Sequence, residues 1–93
     1  MEDHHLIADS ISSLSRGDGP AIRMTAADHR LTASYGSSNQ ARAFRTQQQQ
    51  LMAQGDVMGA FNMGVADVQM KCGSKYDVGI SQAREYLRSI PNI

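Results

Sequence analysis

The chain has 93 residues, of which 41% are hydrophobic and 19% are charged, and its formal net charge is +0. This length predicts a single domain over residues 1–93 with a modest core. The neutral balance argues against binding to nucleic acid through bulk positive charge alone, and the single cysteine excludes an intrachain disulfide framework. The sequence has no apolar run long enough to predict a membrane-spanning helix.

The first part of the chain alternates short apolar segments with turn residues. Residues 3–8 predict a short strand that is entered through the adjacent pair His4 and His5. Residues 9–20 predict a turn-rich loop that ends in Gly-Asp-Gly-Pro. Residues 21–25 then predict a second short strand, so the two strands can form a hairpin.

A helix is predicted directly after the second strand. Thr25 has the character of a helix N-cap, and Asp28 supplies an acidic side chain in the first turn. We expect this helix to run from residue 26 to about residue 34 and to stop before Gly36. Tyr35 and Gly36 are most simply a helix stop, although Tyr35 could also stack on a nucleobase.

The remainder of the chain has apolar residues at helical spacing and predicts three or four helices. Ser37 and Gln40 have the form of a capping box, and the helix that follows should end at Gly55. The glutamine run at 47–50 fits a solvated helix surface, and Gly64 is expected to break the next helix. Asp56 and Ser74 are predicted as N-caps, and Asp67 and Asp77 as helix-cap or first-turn acids. One helix face is predicted to comprise Ala41, Phe44, Gln48, Leu51 and Met52. The face of a last helix, which Pro91 stops, is predicted to comprise Tyr76, Ile80, Ala83 and Leu87.

The order of the elements predicts the fold class. It indicates an α+β domain in which a short two-stranded β-hairpin and a helix are followed by three to four small helices. The ββα core would occupy residues 3–36 and the helical remainder residues 37–90.

All three histidines lie at the ends of these first elements. Imidazole is a common metal ligand, and its unperturbed pKa lies closest to neutrality. A metal-dependent hydrolase needs both a ligand and a base in one pocket. Neighbouring strand residues point to opposite faces, so His4 and His5 must lie at a strand end or bulge to reach one site with His29. Taken singly, the pair is often only solvated sequence or part of a tag, and His29 is more often a surface histidine.

Positive charge is concentrated in one segment of the chain. Between residues 23 and 45, Asp28 is the one acidic residue, against four arginines. This excess could face a phosphate backbone, and the alternative is a solvated helix surface. The arginines are Arg23, Arg30, Arg42 and Arg45.

Together these motifs resemble the HNH (His-Me finger, ββα-metal) nuclease superfamily. The run His4-His5-Leu6-Ile7 is similar to that family's His-His-hydrophobic-hydrophobic element. The segment from Ala21 to His29 is similar to its second strand and metal-bearing helix. Colicin-type nucleases belong to this family, and the chain most resembles the C-terminal toxin domains of bacterial polymorphic toxins.

The resemblance implies a metal-dependent endonuclease that hydrolyses DNA phosphodiester bonds, with RNA as an alternative substrate. The implied roles are His5 as general base, Arg30 as a catalytic phosphate contact, His4 and His29 as metal ligands, Arg23, Arg42 and Arg45 as substrate-binding residues, and Asp3 and Asp28 as residues that orient a histidine.

Two positions depart from the family pattern. Ala8 stands where members usually have proline, and Ala33 stands where colicin-type members have a further histidine ligand. Ser34, Thr32 or water would have to fill that position. Two protein ligands favour Mg²⁺ over a closed zinc site, with Mn²⁺, Ni²⁺ and Zn²⁺ as alternatives. The alternative function is therefore a degenerate, non-catalytic module that binds nucleic acid or a protein partner.

The resemblance also implies an origin and a partner. It implies a bacterial domain from the C-terminus of a larger toxin, secreted or delivered and acting in the cytoplasm of a target cell. A cognate immunity protein would silence it in the producing cell, and this partner would be acidic if it masks the arginine side. A third reading is a small helical interaction protein with incidental histidines.

Overall fold

The computed structural model describes residues 1–8 and 19–90, where a two-stranded antiparallel sheet is followed by four helices. The predicted α+β class is confirmed. The strands are β1 (Glu2–His5) and β2 (Ala21–Met24), and the helices are α1 (Ala26–Leu31), α2 (Asn39–Ala53), α3 (Val57–Cys72) and α4 (Asp77–Ser89). Residues 9–18 of the predicted loop and the predicted helix stop at Pro91 lie outside the described residues. In the part of the chain that is described, no helix has the length and hydrophobicity needed to cross a membrane.

The first strand is shorter than the sequence predicts. It ends at His5, which pairs with Ala21, the first residue of β2. Beyond that pair the backbone finds other partners: the N–H of Leu6 donates to the carbonyl of Pro20 at 2.9 Å. Leu6, Ile7 and Ala8 remain buried, so the predicted apolar segment is correct although its strand assignment is wrong after His5.

The side chain of Gln48 continues the hydrogen bonding where β1 stops. Its Oε1 accepts from the N–H of Ala8 at 3.1 Å, and its Nε2 donates to the carbonyls of Leu6 at 2.8 Å and Ala60 at 3.0 Å. Gln48 is 0% exposed, so the expectation of a solvated glutamine run is wrong at this position. Buried backbone groups need such partners, and Gln48 thereby joins the end of β1 to α2 and α3.

Helix α1 begins as predicted and ends early. The hydroxyl of Thr25 accepts from the N–H of Asp28 at 3.2 Å, which confirms Thr25 as the N-cap. The helix ends at Leu31 rather than near residue 34. Thr32 adopts an extended backbone, and its hydroxyl donates to the carbonyl of His29 at 2.7 Å, which closes the last turn.

Helix α3 runs without interruption through Gly64, so the predicted break there is wrong. The glycine serves packing instead. A Cβ at this position would overlap the carbonyl oxygen of Leu6, so α3 can lie directly against the end of β1 because position 64 has no side chain.

The helix caps agree in part with the sequence. Asp56 caps α3 by accepting from the N–H of Gly59 at 2.9 Å, as predicted. Helix α2 is capped by Ser38 rather than Ser37. Helix α4 begins at Asp77 and has no side-chain cap, so the prediction for Ser74 is wrong.

The core lies between the sheet and helices α3 and α4. The four residues predicted as the face of the last helix are all buried in it: Ile80, Ala83 and Leu87 lie on α4, and Tyr76 directly precedes it. Helix α2 packs on α3, and α4 packs on β2. The buried cluster comprises Leu6, Ile7, Ile22, Met24, Ala60, Phe61, Val65, Val68, Tyr76, Ile80, Ala83 and Leu87.

Candidate functional site

A cavity of about 240 Å³ lies at the end of β1, and all three histidines line it. The hairpin and α1 therefore bring His4, His5 and His29 together, as the motif spacing suggests. The other lining residues are Asp3, Ala8, Ser34, Tyr35, Gly36 and Arg45.

The histidine pair reaches one cavity because it stands at the end of a strand. His5 is the last residue of β1, so the strict alternation of faces stops there. His4 is 4% exposed and lies opposite Ile22 in the sheet, whereas His5 is half-buried. The pair thus lies at a strand end, as expected, but at the C-terminal end of β1 rather than at the start of the predicted strand.

His4 is held in its neutral form at pH 7. Its pKa is lowered from 6.5 to about 4, mainly because burial removes the solvation of the charged ring and also because His29 lies nearby. The carboxylate of Asp67 opposes this shift. A neutral imidazole keeps a nitrogen lone pair, which a metal ligand or a hydrogen-bond acceptor requires.

His29 is held from both sides. Its Nδ1 lies 2.7 Å from Oε1 of Glu2, a carboxylate that can only accept, so Nδ1 carries a proton and Nε2 remains for the cavity. The ring centroid lies 5.2 Å from that of His4 and 5.0 Å from that of Tyr35, which meets it edge-on. The carboxylate thus fixes the orientation of the ring.

Glu2 is a site residue that the sequence reasoning missed. The signal was present in the strand periodicity, since Glu2 and His4 are two residues apart and share one face of β1. The family resemblance instead implies that Asp3 and Asp28 orient a histidine.

The two predicted orienting residues have other contacts. Oδ2 of Asp28 accepts from Nζ of Lys75 at 2.7 Å and from the hydroxyl of Tyr76 at 2.6 Å. The hydrogen bond from Lys75, followed by that from Tyr76, lowers the pKa of Asp28. Asp28 therefore joins α1 to the start of α4 rather than orienting a histidine. Asp3 lines the cavity, and its Oδ1 lies 3.9 Å from Nε of Arg23.

Of the four arginines in the basic segment, Arg45 is the one that lines the cavity. Its Nη1 donates to the carbonyl of Ser34 at 2.8 Å and to that of Gly36 at 2.9 Å. Arg23 is exposed on β2, and its Nη2 donates to the carbonyl of Met1 at 3.3 Å. The expectation that Arg30 contacts the reacting phosphate has no support in the structure, because Arg30 is exposed on α1 and does not line this cavity; the same holds for Arg42 on α2.

Asp67 is a second residue whose role the sequence reasoning missed. It lies in the middle of α3, not at a cap or in a first turn, and it is 5% exposed. Its Oδ2 accepts from the N–H of Ala33 at 2.7 Å, and its Oδ1 accepts from Nζ of Lys71 at 2.8 Å. It thereby fixes the segment that follows α1. The available signal was a charged residue at core spacing, between Gly64 and Val68.

Thr32 and Ser34, which were expected to replace the histidine ligand that is absent at position 33, differ in their positions. The hydroxyl of Thr32 donates to the carbonyl of His29, whereas Ser34 lines the cavity. Among the described residues, no three His, Cys, Asp or Glu side chains are arranged to hold a metal ion by themselves. The protein donors available are thus fewer than a closed structural zinc site uses.

The rings of His4 and His29 lie close together, with centroids 5.2 Å apart and planes tilted by 59°. This distance is common for two contacting aromatic rings, and it is also short enough for one ion to reach a nitrogen of each ring.

Comparison of the chain with protein-family models, with curated proteins and with solved structures gives no match.

Proposed function

We propose that this domain is a metal-dependent endonuclease of the ββα type that hydrolyses DNA phosphodiester bonds in the histidine cavity. The observation that carries the proposal is the convergence of His4, His5 and His29 on one cavity from two elements. Imidazoles that meet in this way offer both metal ligands and a base, which phosphodiester hydrolysis requires.

His5 is the proposed general base. It is the half-buried last residue of β1 and lines the cavity, and its Nε2 is a buried atom, so a substrate water would have to enter the cavity to reach the ring. His5 would accept a proton from that water as the water attacks phosphorus. Arg45 places a permanent positive charge at the same cavity, where it would attract the phosphate.

His4 and His29 are the proposed metal ligands. A bound divalent cation would neutralise charge on the phosphate and on the leaving oxygen. The neutral state of His4 and the Glu2 contact that orients His29 both support this assignment. Mg²⁺ fits a shell that is mostly water, with Mn²⁺, Ni²⁺ and Zn²⁺ as alternatives.

The biological setting follows from the resemblance to toxin nucleases. We propose a bacterial toxin domain, delivered as part of a larger protein into the cytoplasm of a target cell and silenced by an immunity protein. DNA is the proposed substrate, and an RNA substrate of equal length is the comparison that decides between the two.

The test is nicking of supercoiled plasmid by the purified domain in EDTA and in each of the four divalent metals. We expect nicking with at least one metal, none in EDTA, and loss of activity in His29→Ala. Arg88→Ala is the control, because Arg88 lies on α4 and pairs with Glu85. Nicking that persists at the same rate in EDTA would contradict the proposal.

The second candidate is a non-catalytic module that binds nucleic acid or a protein. It is favoured by the incomplete metal donor set among the described residues and by the position of Arg30 outside the cavity. A folded domain that binds DNA in a salt-sensitive way but cleaves it in none of the metals would establish this alternative.

A further inference from the structure

Tyr35 is an exposed aromatic residue at the rim of the histidine cavity. Its side chain is 45% exposed, and its ring edge meets His29 with the centroids 5.0 Å apart. Tyr86 is exposed to a similar degree, and Tyr35 differs from it because its ring contacts His29 and lines the histidine cavity. Tyr35 therefore presents a ring next to the proposed ligand His29.

The turn that carries Tyr35 is held in place by hydrogen bonds. The N–H of Tyr35 donates to the carbonyl of Thr32 at 3.2 Å, and Asp67 accepts from the N–H of Ala33. Arg45 binds the carbonyls on both sides of Tyr35, those of Ser34 and Gly36.

Gly36 directly after the tyrosine has a φ of 84°, which residues with a Cβ rarely adopt. The backbone that carries Tyr35 is therefore held in place and the ring rests against His29, which lowers the entropy that the ring loses when a partner stacks on it.

The charge of the molecule makes such a stacking contact important. The formal net charge is +0, and Arg45 is the one arginine of the basic segment that lines the cavity. Duplex DNA is bound mainly through many phosphate contacts, and among the described residues that line the cavity Arg45 is the one lysine or arginine. Stacking on an aromatic side chain strengthens binding by about 5- to 150-fold for each base.

An unpaired base fits this arrangement better than a paired one. The bases of a duplex are already stacked on their neighbours, so their faces are not available to a protein ring. A base in a single strand offers its face without that cost. We infer that Tyr35 stacks on the base beside the scissile phosphate and that the substrate is single-stranded or locally unpaired DNA. This inference rests on the proposed nuclease function.

The inference is tested first by binding, in EDTA, so that it does not depend on cleavage. The probes are a fluorescein-labelled single-stranded oligodeoxynucleotide and the duplex of the same sequence, measured by fluorescence anisotropy. We expect Tyr35→Leu to weaken single-strand binding by about 5- to 150-fold and to leave duplex binding unchanged. Tyr35→Phe, which keeps the ring, should bind like the wild type.

Tyr86→Leu is the matched control. Tyr86 is 44% exposed on α4 and lines a different groove, beside Tyr76 and Gln82. Its replacement should leave both affinities unchanged. Equal binding of the single strand by wild type and Tyr35→Leu would overturn the inference, as would an equal loss for single strand and duplex.

Cleavage supplies an independent readout. The substrates are single strands that each contain one abasic nucleotide, at a different position in each strand, and they are assayed with a metal that supports cleavage. The kcat/KM of the wild type should fall for the one substrate that lacks the base on which Tyr35 stacks. Tyr35→Leu should be insensitive to the abasic nucleotide at that position. Cleavage of single strand and duplex at equal rates, unchanged by Tyr35→Leu, would leave the nuclease function standing and overturn this inference. Absence of cleavage in every metal, together with Tyr35-dependent binding of the single strand, would overturn the nuclease function and with it the place of the base beside a scissile phosphate, and would leave only the stacking contact of Tyr35.

Discussion

At the scale of single residues, the site depends on carboxylates that hold other groups in place. Glu2 fixes the ring of His29, and Asp67 fixes the backbone after α1. Neither lies where a metal ligand was expected. If His29 binds the proposed metal ion, Glu2 would set the orientation of that ligand and its basicity, so removal of Glu2 would weaken metal binding without removing a ligand.

The Glu2 contact leads to a test by substitution. Glu2→Gln keeps the size of the side chain but removes the negative charge that holds Nδ1 of His29. We expect metal affinity and kcat/KM to fall by about 10- to 100-fold, with an unchanged fold by circular dichroism. Metal titration by calorimetry measures this, with Glu85→Gln as the control, because Glu85 pairs with Arg88 on α4. An affinity like that of the wild type would contradict the orienting role.

The burial of His4 predicts a pH dependence of stability. Its folded pKa of about 4 lies below the ordinary 6.5, so the unfolded chain binds the proton more tightly. The contribution of His4 is therefore fully present above pH 6.5 and is lost as the pH falls towards 4. It amounts to at most about 3 kcal/mol of the free energy of unfolding.

Urea unfolding in EDTA between pH 7 and pH 4 checks this expectation. Asp28→Asn should retain most of the fall, because the stability linked to the lowered pKa of Asp28 is lost mainly below about pH 5, whereas that of His4 is lost from pH 6.5 downwards. His4→Gln should flatten it. A wild-type protein whose stability is constant across this range would contradict the buried neutral state of His4.

Sequence reasoning identified some of these residues and missed others for a physical reason. The histidines stand out because their chemistry is rare and their positions follow short local patterns. Glu2 and Asp67 act across the chain, on His29 and on Ala33, and a single sequence contains no record of which distant residues meet. Positive charge alone predicts a substrate contact for Arg45 and equally for three other arginines, which do not line the cavity.

At the scale of elements, the end of β1 is held by two helices rather than by a longer hairpin. The side chain of Gln48 on α2 makes the hydrogen bonds with the backbone of Leu6 and Ala8 that a neighbouring strand would otherwise make. Because Gly64 has no side chain, α3 can lie directly against Leu6. Local propensity predicts that a helix is interrupted at Gly64 and that the side chain of Gln48 is exposed to solvent. Both predictions are wrong because tertiary packing decides these positions, whereas the caps at Thr25 and Asp56 depend on local hydrogen bonds and are confirmed.

Two glycine substitutions separate packing from helix propensity. Gly64→Ala should destabilise the domain, because the new Cβ would overlap the backbone of Leu6 next to the histidine pair. Gly79→Ala on α4 should instead stabilise it by up to about 1 kcal/mol, since its Cβ would meet Ile22 at an ordinary 3.5 Å. Urea unfolding of both variants is the measurement. Equal effects of the same sign would contradict the proposed role of Gly64.

At the scale of the whole molecule, the helices complete the site that the hairpin begins. The hairpin and α1 carry the histidines, while α2 contributes Arg45 and α3 contributes Asp67. The hydrogen bonds of Asp28 with Lys75 and Tyr76 join α1 to the start of α4. The order of elements was predictable from local patterns, whereas the placement of Arg45 at the cavity and of Asp67 against Ala33 depends on long-range packing.

The central claim is that the histidine cavity is a hydrolytic site with His5 as its base. The most direct test is the single-turnover rate of DNA cleavage in an active metal by wild type and His5→Ala, with equal melting temperatures as evidence of an intact fold. We predict a fall of about 100-fold or more, the range that a general base contributes. A rate for His5→Ala equal to that of the wild type would contradict the account.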